Sequence, residues 1–171
     1  MRINFVYMRP TPVLYFGAIG PYEESITRAW GKMLSWLEAR NLRRTTPRGF
    51  GIIHDHSGSI APPLRRYDAC VELLPGFSAD PPSGIVRKVT PSGAYAQFNL
   101  KGCHKQIGES FRRIRDQWSE ADALVIDQTR PYMKIFLNDP AATPRDELLT
   151  QLCVPVRTTL RIGKLRAAVD A

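Results

Sequence analysis

Three cysteines, Cys70, Cys103 and Cys153, are an odd number without a CxxC pair, which argues against a disulfide framework. A reducing compartment is expected, and with it a cytoplasmic location. No stretch approaches the roughly 18 apolar residues of a membrane span, and Met1 to Pro10 lacks the apolar run of a signal peptide, so no membrane partner is expected. Histidine is scarce: His54, His56 and His104 are all there are. His54 and His56 alternate around Asp55 like a metal pair, but they fall at a predicted turn with one other histidine to help, so neither a metal nor any other cofactor is expected. Also missing is any RNP, zinc-finger or basic-zipper pattern, and hence a direct DNA-binding motif. The net charge of 24 − 16 = +8 suits an acidic partner. Its arginines are scattered, as at Arg43, Arg65, Arg112 and Arg157, which describes a solvated basic surface.

What the chain does have is a repeat, the feature to seek first. Residues 24–38 form an amphipathic helix pattern with apolar Ile26, Trp30, Met33 and Leu37; residues 105–120 give Ile107, Phe111, Ile114 and Trp118. Both follow i, i+4, i+7, i+11, one stripe of a 3.6-residue period. Each helix follows a β-like run that ends in a glycine turn: Val13–Ile19 before Gly20-Pro21, and Ala94–Leu100 before Lys101-Gly102. Each is followed by a strand running into a polar turn, Ile52-Ile53-His54-Asp55 against Phe136-Leu137-Asn138-Asp139. A last strand closes each half, Tyr67–Val71 against Thr150–Val154.

The reading is an α+β fold of duplicated βαββ modules, forming one antiparallel sheet about a pseudo-twofold axis, with two helices and a cleft between them. A three-stranded sheet with one helix leaves an apolar edge exposed, so neither half is expected to stand alone. The single domain spans 1–157, with repeats at about 12–74 and 93–157 and a tail at 158–171. Residues 43–51 and 57–63 read as loops, and 75–83 as the link between halves. Residues 85–89 add a strand, and 1–8 pair at a sheet edge.

Five segments carry a family resemblance: Gly20-Pro21-Tyr22-Glu23, Trp30 to Trp36, Arg66-Tyr67-Asp68-Ala69-Cys70-Val71, Phe136-Leu137-Asn138-Asp139-Pro140 and Cys153-Val154-Pro155-Val156. In this order and spacing the chain resembles the GyrI-like family, which includes the DNA gyrase inhibitory protein and the effector-binding domains of AraC-type regulators and of Rob. The resemblance implies the duplicated βαββ fold with a small-molecule cleft. It also implies several activities on one scaffold: sensing amphipathic or cationic drugs, modulating gyrase, and hydrolysing cyclopropanoid toxins. A small amphipathic or planar ligand is thus the first expected partner, and DNA gyrase the second. With no room for a helix-turn-helix region, a freestanding binding protein is expected.

The resemblance implies a glutamate on the strand before the Asn-Asp turn, as the acidic floor of the cleft. Here that strand reads Pro131-Tyr132-Met133-Lys134-Ile135-Phe136, and Lys134 takes the glutamate's place. Gln151 stands where the family often has an acid. Both changes remove negative charge, which argues against cation binding and against glutamate-dependent hydrolysis, so no catalytic residue is assigned. Strand alternation puts Tyr132, Lys134 and Phe136 on one face and Met133, Ile135 and Leu137 on the other. A buried ammonium needs a partner or loses its proton. Three arrangements stay open: Lys134 meets an anionic or carbonyl ligand, pairs with Asp68 or Glu72, or snorkels to water.

The remaining ligand candidates are aromatic. Trp30, a ligand candidate, lies on the helical stripe, as does Trp118, so core packing is favoured over ligand contact for both. Trp36 sits at the stripe's edge, where it can line the cleft. Tyr22 follows the Gly-Pro turn and either projects over the groove or staples the helix start. Cys70 and Cys153 occupy matching strand positions as small core residues. Cys103 has no catalytic company.

Overall fold

In the computed structural model the described residues are 3–46, 48–56, 58, 60–103, 106–116, 118 and 124–158. They form nine strands and two helices: β1 (Ile3–Met8), β2 (Pro12–Ile19), α1 (Tyr22–Ala39), β3 (Gly49–Ile53), β4 (Arg66–Glu72), β5 (Val86–Val89), β6 (Gly93–Lys101), α2 (Ile107–Asp116), β7 (Leu124–Ile126), β8 (Tyr132–Phe136) and β9 (Leu149–Thr158). The α+β expectation holds, as one antiparallel sheet. His104 and the tail beyond Thr158 lie outside the described residues.

The strand order is β1-β6-β9-β8-β3-β4-β2-β5, with β7 on β9. At the centre β3 pairs with β8, Gly51 opposite Lys134. Outward lie β4 and β9, then β2 and β6, then β5 and β1. Strands that correspond in the sequence repeat therefore sit at equal rank from the centre.

The connections bend this sheet strongly. β1 and β2 are six strands apart in the order, about 29 Å across a flat sheet at a spacing of about 4.8 Å. Only Arg9, Pro10 and Thr11 join them, a reach of no more than about 14 Å. The sheet must curl until its margins approach. Thr11 and Thr90 extend the β2–β5 ladder by one pair: the Thr11 amide donates to Thr90 Oγ1, and the Thr90 amide to the Thr11 carbonyl, both at 2.9 Å.

The two faces therefore bury their side chains differently. One holds Val13, Phe50, Ile52, Cys70, Tyr95, Met133, Ile135 and Cys153, a core to which no helix contributes. Cys70 and Cys153 are buried there, and burial pushes both thiols up to about 12. The other face carries both helices over Leu14, Tyr67, Ala69, Val71, Ala96, Phe98, Tyr132, Leu152 and Val154.

Helix α1 begins where Pro21 fixes φ at −52° and ends in a Schellman turn. There Asn41 takes φ +57°, its amide donates to the Glu38 carbonyl, and the Leu42 amide donates to that of Leu37. Glu23 and Glu24 in the first turn complement the helix dipole.

Two expectations need correction, and one strand had no counterpart in the sequence reading. The segment 43–51 is not wholly loop: a 3₁₀ turn spans Arg43–Thr45, and β3 already starts at Gly49. Two glycines in three residues disguised a strand whose helix-facing positions must be empty. β7, at three residues, was too short to read. Trp118 lies past the end of α2; its indole donates to the Leu124 carbonyl at 3.0 Å, and its ring meets Phe5 edge-on.

Candidate ligand-binding site

The centre of the helix-facing surface is the β3–β8 seam. Two glycines of β3, Gly49 and Gly51, leave space there that side chains from elsewhere fill. A Cβ on Gly49 would come within 2.8 Å of the Trp30 ring. One on Gly51 would collide with the Tyr67 hydroxyl and approach Lys134 Cε to 3.1 Å. The Trp30 indole donates to the Tyr67 hydroxyl at 2.8 Å, and Trp30 meets Phe136 edge-on with centroids 5.3 Å apart. Trp30, Tyr67 and Lys134 thus form a continuous layer over the seam.

Lys134 is the odd member. It is 5 % exposed, and its Nζ lies 5.0 Å from the centroid of the Tyr67 ring. Among the described residues no carboxylate pairs with it. The two acids expected as partners are engaged elsewhere. Asp68 faces the opposite side, held by His54 at 2.6 Å and by Lys88; Glu72 pairs with Arg48 at 3.0 Å. Burial alone pulls the Lys134 ammonium down to about 8.

On one side of this layer an apolar cavity of about 260 Å³ opens between α1 and the end of β8. Ile26, Trp30, Leu34 and Leu37 of α1 line it, with Gly49, Val71 and Phe136 from the sheet. Asn138, Asp139 and Pro140 form its rim with Arg43. The rim charge is compensated: Arg43 grips Asp139 through two hydrogen bonds of 3.1 and 3.2 Å and also pairs with Glu38. That hydrogen bonding holds the Asp139 carboxyl below its ordinary value.

On the other side a polar cavity is lined by Tyr22, Asp55, His56, Gly58, Arg65, Arg115 and Gln128. Tyr22 fixes its wall: its hydroxyl donates to the Asp55 carbonyl at 3.0 Å and accepts from the Asp55 amide at 3.1 Å. The Asp55 carboxylate is consumed by Arg66, which contacts it at 2.8 and 3.0 Å. His56 stacks on Tyr132 with centroids 3.8 Å apart.

The six sequence candidates therefore separate. Trp30 and Phe136 wall the apolar cavity, and Tyr22 lines the polar one. Tyr132 and Lys134 are buried between, lining neither. Trp36 is elsewhere: its indole donates to Asp80 at 2.9 Å, and Arg40, which also pairs with Asp80, stacks over its ring. The helical stripe is rotated accordingly, with Ser25, Ala29, Met33 and Trp36 buried and Ile26 and Trp30 on the cavity flank. Sequence reasoning missed Leu34, Arg43 and Asp139 as cavity residues, although Asp139 lay within a quoted motif. It also missed Arg65 and Arg115, which no local pattern distinguishes from the other surface arginines.

No metal-binding cluster of three or more His, Cys, Asp or Glu side chains occurs among the described residues, and none of their helices is long and apolar enough to cross a membrane. A family described as the GyrI-like small molecule binding domain matches residues 1–157. Among solved structures, the EcmrR C-terminal domain superposes with a TM-score of 0.68 at 12% identity, covering 92% of this chain and 98% of its own. SAV2435 bound to tetraphenylphosphonium gives 0.62 at 10% identity, with 92% and 94% covered. A hydrolase from Listeria innocua gives 0.61 at 12% identity, with 91% and 92% covered. At such identities the likeness establishes the shared fold. No curated protein sequence matches the chain.

Proposed function

The chain belongs to the GyrI-like family of small-molecule-binding domains, and we propose that it binds a planar or amphipathic molecule in the apolar cavity between α1 and the β3–β8 seam. It favours neutral or anionic ligands over lipophilic cations. Trp30 and Phe136 supply flat apolar walls at right angles, suited to an aromatic guest. The cavity's lining comes from residues 26–71 and 136–140, which supports a position between the two halves of the expected repeat, where pockets tend to form.

The observation that carries the charge preference is Lys134. The family resemblance places a carboxylate at this position; here an ammonium is buried without an acid beside it. Its field reaches the cavity through the Trp30–Tyr67 layer and is repulsive to a cation. The one rim cation, Arg43, is paired with Asp139 and Glu38, whose exposure lets solvent screen them, so the buried Lys134 is the charge that decides. The relative bound to tetraphenylphosphonium is thus a guide to the place of the site and not to its ligand's charge. The same substitution leaves hydrolysis without the carboxylate it would use.

The test is thermal stabilisation by planar anions, neutral amphiphiles and lipophilic cations, on the wild type and on Lys134→Glu. A ligand at a hundred times its dissociation constant adds about 2.7 kcal/mol. Stabilisation of the wild type by neutral and anionic compounds, shifting to cations in the variant, is expected. Strongest stabilisation of the wild type by lipophilic cations, or none from any panel, overturns the reading.

A further inference from the structure

The polar cavity is lined by two guanidiniums without a close carboxylate partner and by a buried ring nitrogen without a partner, and a second unpartnered polar atom lies behind that ring. Arg65 sits over the Tyr22 ring, its guanidinium carbon 5.6 Å from the centroid, and its Nε donates to the Ile60 carbonyl at 3.1 Å. No carboxylate pairs with it among the described residues. Arg115, on the last turn of α2, has only a 3.9 Å contact with its neighbour Asp116. The acid in the wall, Asp55, is already bidentate to Arg66. The cavity is therefore cationic at its lining in a way the apolar one is not.

The unpartnered atoms are the Tyr132 hydroxyl and His56 Nδ1. Tyr132 is 2 % exposed, yet among the described residues nothing accepts its proton. It lies behind His56, on whose ring it stacks, and His56 lines the cavity. His56 Nε2 lies 3.0 Å from the Arg130 carbonyl; a carbonyl only accepts, so Nε2 carries the hydrogen and Nδ1 presents a lone pair. Burial lowers the His56 pKa and keeps the ring in that neutral form. A buried donor or acceptor left without a partner is destabilising. The His56 acceptor, in a lining that carries two guanidiniums with no close carboxylate partner, describes a site awaiting a complementary group.

We propose that this second cavity binds an oxyanion, the carboxylate or phosphate of a small molecule, between Arg65 and Arg115. His56 Nδ1 accepts from a hydroxyl or N–H beside the anionic group, so hydroxy acids and monoprotonated phosphate esters fit best. A cavity of about 540 Å³ admits a ring as well as the acid group. The site lies across the Tyr67–Lys134 layer from the apolar cavity and does not depend on a ligand there.

The probes are salicylate, phenyl phosphate and inorganic phosphate, with methyl salicylate and benzylamine as uncharged and cationic controls. Binding is followed by calorimetry at constant ionic strength on the wild type, Arg115→Gln and Arg113→Gln. Arg113 is on the same helix, 68% exposed in its side chain and paired with Glu109, so its variant changes net charge equally without touching the cavity. Saturable binding of at least one oxyanion is expected, weakened tenfold or more in Arg115→Gln and unchanged in Arg113→Gln. Which of salicylate and phenyl phosphate binds more tightly distinguishes carboxylate from phosphate. No saturable binding, or equal losses in the two arginine variants, overturns the proposal. Trp30→Phe, which alters the apolar cavity, should leave these affinities unchanged and so separates failure of one site from failure of the other.

Discussion

Lys134 Nζ lies 5.0 Å from the centroid of the Tyr67 ring, and that aromatic face is the partner the structure gives its charge. A cation–π contact of this kind is worth about 2 kcal/mol when desolvated. It does not restore the hydration lost on burial, which is why the ammonium is pulled down to about 8 from 10.5.

That depression fixes a pH window. The folded state binds fewer protons at Lys134 than the unfolded chain between about 8 and 10.5, so stability rises with pH across the interval. Below it both states are charged and the full penalty stands, about 3 kcal/mol for the depression seen. Lys134→Met, of similar length and without charge, should therefore be more stable than the wild type at pH 7. The difference should shrink as pH rises towards 10. Urea denaturation at pH 7, 8.5 and 10 measures it; a variant less stable at pH 7 would show that the ammonium has a favourable partner.

Gly51 tests the packing of the same layer. A methyl group there would overlap the Tyr67 hydroxyl and sit 3.0 Å from Tyr67 Cζ and 3.1 Å from Lys134 Cε. Tyr67 is fully buried and tied to Trp30, so it has little room to retreat. Gly51→Ala should cost about 1–3 kcal/mol, the usual range for overpacking. Gly31→Ala meets nothing within 4 Å on an exposed helix face. It should gain up to about 1 kcal/mol through helix propensity alone. Opposite signs from the same chemical change would locate the constraint at the seam.

The helices, most of the strands and the alternation of β8 were legible because each rests on a local period. Tyr132, Lys134 and Phe136 do share the helix-facing surface, while Met133 and Ile135 belong to the opposite core. What was not legible depends on long-range placement. Gly49 and Gly51 read as loop because a strand's signal comes from its side chains, and here the side chains come from Trp30, Tyr67 and Lys134. The burial of Trp36 follows from Asp80, 44 positions away, which no periodicity in α1 can reveal. The polar cavity joins Tyr22, Arg65 and Arg115 from three elements, and composition alone made those arginines look like surface.

Tryptophan fluorescence can tell the two cavity-side assignments on α1 apart. Trp30 lines the apolar cavity, whereas Trp36 is held against Asp80 and lines neither cavity. A planar ligand that stabilises the protein should change the emission of the wild type and of Trp36→Phe alike. In Trp30→Phe most of that change should vanish, and affinity should fall with the lost wall. The variant also leaves the Tyr67 hydroxyl without its donor, a cost of about 1–3 kcal/mol to the free protein. Equal loss of signal in both variants would mean that the ligand sits outside this cavity.

The opposite face has its own charged centre, and acid should find it. Asp68 is held by His54 and Lys88, and Lys88 also lies 4.2 Å from the Tyr15 ring centroid. Burial pushes the Asp68 carboxyl up, but the hydrogen bonds from His54 and Lys88 outweigh it and leave the carboxyl below its ordinary value of 3.8. A depressed carboxyl contributes stability that is present above its unfolded value and lost as pH falls through the folded one. Asp68→Asn should therefore destabilise the protein at pH 6 by about 1–3 kcal/mol, since Lys88 loses the charge it was buried against. Its acid unfolding should then be shallower, with the two proteins converging only at a pH below 3.8, once the folded carboxyl is protonated. Parallel curves across the whole range would mean that Asp68 supports the sheet through packing against Gly17 rather than through its charge.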